Sequence, residues 1–214
     1  MSTPTRLVLT MGDPAGIGPE IIAKAARQLL PAVQDGTLAL TVCGSAAALQ
    51  RAEAQMGLSA DSARYQMVDV GPVEAPWTTG EVSAAGGEWA YRAVVRAVEL
   101  VQAGEADAIV TGPLSKEALH LAGHAFEGHT ELLAHLTGQR DAVMMLAHEN
   151  MRVSHVTTHC ALASVPGRIT PVRLRRVFDV TLDALRALGI AQPRIAVCGL
   201  NPHAGENGVD RKSV

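Results

Sequence analysis

The chain is short of several things, and each shortage closes off a class of function. Its 214 residues include two Trp, two Tyr and two Phe, too few rings for a surface that stacks nucleic-acid bases. Positive charge is not in excess: 18 Lys and Arg face 21 Asp and Glu, for a formal net charge of −3, so the electrostatic footprint of a nucleic-acid binder is missing. Cysteine is scarce, with Cys43, Cys160 and Cys198 far apart and no CxxC pair. An odd count without framework spacing excludes a disulfide scaffold and fits a reducing cytoplasm, which is the expected location. No apolar run approaches the ~20 residues of a membrane span, and the first ten residues lack the apolar core of a secretion signal. The one glycine-rich loop after a strand, Gly12 to Gly18, matches neither the dinucleotide fingerprint nor the P-loop spacing.

What is present is a large apolar fraction, 48%, with only 18% charged residues, enough for a sizeable core and too much for global disorder. Short apolar runs predict strands over residues 7–10, 38–43, 65–70, 108–111, 142–147, 151–158 and 195–198. Helical spacing predicts helices between them. One follows the glycine loop over 21–30, with Pro19 and Glu20 in its first turn. One runs over 45–56 behind Ser45 as N-cap. Others cover 90–102, 115–121 (behind Ser115) and 129–136. The last starts at Pro171, capped by Thr170, and stops at Gly189. Residues 71–87, rich in Gly and Pro, read as a long excursion or the start of a hairpin. A turn near Glu149-Asn150 pairs the two strands around it. Strand and helix alternate almost throughout, which argues for an α/β fold with layered helices around a largely parallel sheet.

Of eight histidines, three stand where α/β proteins assemble sites: His129 at a helix start, and His159 and His203 at strand ends. Neutral imidazole there is a natural metal ligand, or a donor beside an anion. His129 with the Thr130 hydroxyl suits a phosphate or carboxylate at a helix N-terminus. His159 and His203 can share a metal, but two histidines do not close a structural zinc site, and the alternative is a solvated ring in each loop. The glycine loop is equally a tight strand-to-helix turn or an anion-binding loop. His120 and His124, four apart, lack an HExxH context and read as a solvated pair. His135, His148 and His155 receive no role.

Several stretches, in order along the chain, carry a family resemblance. They are Met11-Gly12-Asp13-Pro14-Ala15-Gly16-Ile17-Gly18-Pro19-Glu20, Thr111-Gly112-Pro113 with Lys116, Gly128-His129-Thr130-Glu131, Thr157-Thr158-His159 and Leu200-Asn201-Pro202-His203-Ala204-Gly205-Glu206. Together they closely resemble the 4-hydroxythreonine-4-phosphate dehydrogenase family of pyridoxine biosynthesis. The stretches over 116–120 and 128–134 are similar to its branch acting on 4-phospho-threonate or 4-phospho-erythronate. The resemblance implies an isocitrate/isopropylmalate-dehydrogenase-like fold, two lobes around a cleft, in which a missing dinucleotide fingerprint is expected. It implies NAD-dependent oxidation of a secondary hydroxyl on a phosphorylated four-carbon hydroxy acid, followed by decarboxylation. By the family pattern His159 and His203 fall on two of three histidine ligands to a divalent metal (Zn, Mg, Mn, Co or Ni). That metal site is shared between the subunits of a homodimer. His129 and Thr130 fall on substrate-contacting positions.

The resemblance covers residues 1–208 as the first two-thirds of a family catalytic unit, and residues 209–214 form a polar tail outside it. The third metal histidine, in a Tyr-His-Asp-Gln-Gly motif, and much of the NAD site are expected beyond this stretch. Two further readings therefore stand beside the dehydrogenase: an inactive family member with a partial metal site, and a phosphate- or acyl-transferring enzyme on a related fold. A chain of this extent is also expected to expose sheet edges and apolar helix faces.

Overall fold

The computed structural model describes residues 3–58, 65–71, 77–139 and 142–201. The chain divides into two compact units, residues 1–140 and 141–214.

The first unit is built on four parallel strands, β1 (Thr5–Thr10), β2 (Leu38–Gly44), β3 (Gln66–Asp69) and β4 (Ala108–Thr111), in the spatial order β3-β2-β1-β4. β1 is central, with Leu9 opposite Val42 on one side and Val110 on the other. Alternation along β1 divides the core. Leu9 packs with Ile22 and Ala23 of α1 (Gly18–Gln28) and Ala48 and Leu49 of α3 (Ala46–Gln55), while Val8 packs with Ala93, Ala97 and Leu100 of α4 (Ala84–Gln102). A parallel sheet covered on both faces is what its nearly continuous apolar strands require. A short α2 (Leu30–Gln34) follows α1, and α5 (Lys116–Leu121) and α6 (His129–Leu136) complete the unit. Leu132 of α6 is fully buried against Val94 and Val98 of α4.

Helix boundaries largely follow the expected caps. The hydroxyls of Ser45 and Ser115 accept from Ala48 N–H and Ala118 N–H, each at 3.2 Å. The stretch 71–87 differs from expectation: its described part contains no strand, and α4 begins at Ala84, with Ser83 Oγ accepting from Gly86 N–H at 3.1 Å. Gly86 and Gly87 read as chain breakers, yet they lie in the first turns of α4 because neighbouring backbone and side chains approach closely there.

The second unit opens with an antiparallel hairpin, β5 (Met145–His148) and β6 (Met151–Ser154), turning at Glu149, whose φ is +47°. A 3-10 turn (Leu162–Ser164), α7 (Val165–Arg168) and α8 (Pro171–Ala187) follow. Thr170 caps α8, its hydroxyl accepting from Arg173 N–H at 3.2 Å, and Pro171 occupies the first turn. Thr170→Ala is expected to lower stability by about 1 kcal/mol, read as a lower urea midpoint for loss of helical circular dichroism.

The expected strand over 195–198 is corrected. These residues adopt no regular structure, and Ile195, Val197 and Leu200 are exposed. A parallel strand exists only through its neighbour's hydrogen bonds, and no described strand pairs with this one. Among the described residues, no helix is long and apolar enough to cross a membrane.

Candidate active site

β1 and β4 are adjacent and parallel, and they end level with each other, Thr10 opposite Thr111. The loops leaving both carboxyl ends are tied together by backbone hydrogen bonds. Gly112 N–H donates to Thr10 C=O at 2.7 Å, and Asp13 N–H donates to Pro113 C=O at 3.1 Å. Gly12 has φ +74°, and a Cβ there would overlap the Pro113 carbonyl. Only glycine meets both demands. A Cβ on Gly18 would overlap the Met11 carbonyl. The glycines of this loop are therefore taken up in packing it onto the ends of its own strands. Of its two open readings, a tight strand-to-helix turn is the one observed, and it offers no dinucleotide cradle.

His129 is the first residue of α6, behind Gly128 as an N-cap that supplies no side-chain acceptor. The first-turn N–H groups of α6 thus have no capping side chain at Gly128. The half-buried His129 ring hydrogen-bonds the Gly112 carbonyl, which bonds it to the strand-end loop. Its Nε2 is buried with no hydrogen-bond partner among the described residues, which leaves Nδ1–H as the group facing Gly112. Burial pushes the imidazole pKa below its ordinary value, only partly opposed by the Gly112 carbonyl. The ring is therefore neutral at pH 7, with Nδ1 as donor and Nε2 as a free acceptor. Thr130 is the next residue of the same turn and is half-buried.

A depressed histidine pKa has a stability consequence. The unfolded ring takes up a proton below about pH 6.5, where the native ring still resists it. Stability is then lost as pH falls from that value through the folded one. Thermal unfolding from pH 7 to pH 5 is expected to show this decline, and His129→Gln is expected to flatten it. An unaltered slope in the variant would reject the assignment.

Lys116 is a cation that the histidine-centred reading of the sequence passed over as a site residue. It is the first residue of α5, and its Cε would lie 3.8 Å from a Cβ placed on Gly128. Its rarity was a usable signal, since Lys24, Lys116 and Lys212 are the only lysines.

The remaining histidines divide differently from expectation. His124 is not solvated: its Nε2 lies 2.7 Å from Glu88 Oε2, and its ring stacks on Tyr91 with centroids 3.6 Å apart. It is a packing residue joining α4 to the loop after α5. His159 lies in the second unit beyond β6, exposed, with φ +49°. His203 lies outside the described residues. Among the described residues no three His, Cys, Asp or Glu side chains gather to hold a metal ion. One of the two expected ligands is thus described, and a metal would need donors beyond it. The buried Cys43 thiol, pushed up to about 11 by burial, is a packing group.

Residues 18–210 match the family described as pyridoxal phosphate biosynthetic protein PdxA. The chain is 54% identical over 217 residues to a Bradyrhizobium diazoefficiens protein provisionally named a D-threonate 4-phosphate dehydrogenase, covering 97% of this chain and 63% of that one. It is 38% identical over 218 residues to the 4-hydroxythreonine-4-phosphate dehydrogenase of Vibrio cholerae, covering 95% and 64%. Among solved structures, 4-hydroxythreonine-4-phosphate dehydrogenase from Klebsiella pneumoniae matches with a TM-score of 0.81 at 42% identity, over 95% of this chain and 66% of that one. The chain spans less than two thirds of the length of the first of these relatives.

Proposed function

The chain belongs to the PdxA family, and from that premise we propose that it is the part of a nicotinamide-dependent dehydrogenase that binds a phosphorylated four-carbon hydroxy acid. The relatives bear the names of two such substrates. Identity of 54% to the threonate-named protein against 38% to the hydroxythreonine-named one favours D-threonate 4-phosphate. The observation that carries the reading is His129, a neutral imidazole whose Nε2 lone pair is buried and unpartnered at the level where β1 and β4 end.

The chemistry follows from that tautomer. The substrate's secondary hydroxyl donates to His129 Nε2, which takes its proton as the C–H hydride departs and the carbonyl forms. Thr130, the first-turn N–H groups of α6 and the Lys116 ammonium hold anionic oxygens. The resulting β-keto acid loses CO2. NAD, when bound, supplies the hydride acceptor, and a divalent metal supplies Lewis-acid polarisation of the hydroxyl oxygen.

For that metal we infer ligand roles for His159 and His203, completed across a homodimer. Support comes from His159, exposed and held at φ +49°. Non-glycine residues keep that conformation at a cost, most often at functional sites. His203→Ala and His159→Ala are each expected to weaken zinc or manganese binding at least tenfold by calorimetry. Unchanged binding in either variant rejects that ligand role. A family enzyme of this kind works in the cytoplasm, consistent with three unpaired cysteines.

The test of the whole reading is formation of NADH absorbance when the chain is given NAD, a divalent metal and D-threonate 4-phosphate or 4-phospho-hydroxythreonine. Calorimetric titration of each substrate is run in parallel. Binding without turnover assigns the substrate site and withdraws the complete activity. Absence of both with every metal rejects the proposal.

A further inference from the structure

Asp13 has no place in the reaction above, yet it is one of the few buried charged groups of the chain, 6% exposed. Its Oδ1 accepts from Ala15 N–H at 2.9 Å, and its own carbonyl accepts from Gly16 N–H at 3.1 Å, so the side chain and main chain together close the turn that follows β1. An aspartate in a solvated turn makes the same bonds without losing its hydration. Here burial pushes the carboxyl pKa above its ordinary value, against the opposing Ala15 bond. The fold accepts that cost, and the reason lies in what the turn holds.

The N–H of Asp13 donates to Pro113 C=O, and the residue before Pro113 carries the carbonyl that receives the His129 ring. Gly112 is fixed from its other side by its N–H bond to Thr10 C=O. We infer that Asp13 is a positioning residue for His129: its carboxyl sets the Gly12–Gly16 turn, the turn anchors Pro113, and the Gly112 carbonyl stays aimed at Nδ1–H. The Nε2 lone pair is thereby kept free.

The surroundings of Asp13 agree with this role. Its carboxyl lies flat against Gly86 in the first turn of α4, where a Cβ would come within 2.5 Å of Oδ1. The N-terminus of that 19-residue helix favours negative charge and offsets part of the desolvation cost. Gly86 leaves the room for the carboxyl, and Ser83, not Asp13, caps the helix. The Asp13 carboxyl is thus released from capping α4 and is used on the turn.

The value of this link to catalysis rests on the proposed role of His129, but the link itself is testable without substrate. Nitrogen-15 spectra of the histidine rings in the intact chain report tautomer and titration, with the His129 signal assigned by His129→Gln. Asp13→Asn retains an Oδ1 acceptor and is expected to leave His129 as the Nδ1–H tautomer with its depressed midpoint. Asp13→Ala loses the acceptor. It is expected to yield a tautomer mixture and to raise the midpoint toward the ordinary value of about 6.5. Should alanine prevent folding, Asp13→Ser, which closes such turns more weakly, takes its place and is expected to move His129 in the same direction. A wild-type His129 signal in folded Asp13→Ala or Asp13→Ser overturns the inference, as does a displaced signal in Asp13→Asn. Failure of substrate binding with this pattern intact would reject the proposed substrate site and leave the positioning role standing.

Discussion

Gly87→Ala is expected to lower stability by about 2 kcal/mol or more, although alanine is the better helix former. In an exposed helix interior the exchange would stabilise by up to about 1 kcal/mol. Here the added Cβ would enter the Ala118 carbonyl and come within 2.8 Å of Leu119 N. Both are backbone atoms of α5, so no side chain can rotate out of the way. Overpacking of this kind costs about 1–3 kcal/mol, and more where the backbone must shift. The shift would move α5 off α4 and carry Lys116 away from the start of α6, so anion binding is expected to weaken with stability. Gly167→Ala is the control: Gly167 also lies in a helix, α7, but nothing stands within 4 Å of its Cβ position. That variant is expected to be neutral or slightly stabilising. Urea titration followed by the fluorescence of Trp89, buried on α4, reads the first substitution directly. Equal midpoints for the two variants would show that the α4–α5 contact is looser than described.

Gly87 also marks where sequence reading stops. A pair of glycines before a helical pattern is a breaker signal on composition alone. Whether it breaks or packs depends on Ala118, a residue remote in sequence. Ser45, Ser115 and Thr170 were legible as caps because capping is a local bond spanning three residues. The strands of the first sheet were legible because β1, β2 and β4 are apolar runs bounded by turn residues. The run over 195–198 has the same composition and is not a strand, because a partner's hydrogen bonds, not composition, decide it. At the site, His129 and Thr130 were visible as a polar pair opening a helix. The Gly112 carbonyl that sets the tautomer of His129 was not, since it joins residues through a hydrogen bond between a ring and a distant main chain. The role of Asp13 was hidden for the same reason: its motif is visible, but the approach of Gly86 and Pro113 is a property of the packed loops.

His129→Ala is expected to reduce turnover of D-threonate 4-phosphate between about 100-fold and 10,000-fold, the range that a positioned general base contributes. The variant removes the only group placed to take the hydroxyl proton in the reaction proposed above, but leaves Lys116 and the first turn of α6 to bind anionic oxygens. The loss should therefore fall mainly on kcat, with KM changed far less. The pH profile carries the sharper evidence. Proton acceptance needs the neutral ring, so wild-type kcat/KM is expected to fall only below the ordinary histidine range, as pH drops through the value that burial depresses. His129→Gln preserves a polar contact without a titrating base. It should show a low rate with that acid limb gone. An acid limb that persists unchanged in His129→Gln would place the base elsewhere, and a KM effect with normal kcat would make His129 a binding residue only. The same profile run in Asp13→Ala connects the two roles: if Asp13 holds the ring through Gly112, the acid limb should move up toward about pH 6.5 while the basic limb stays in place.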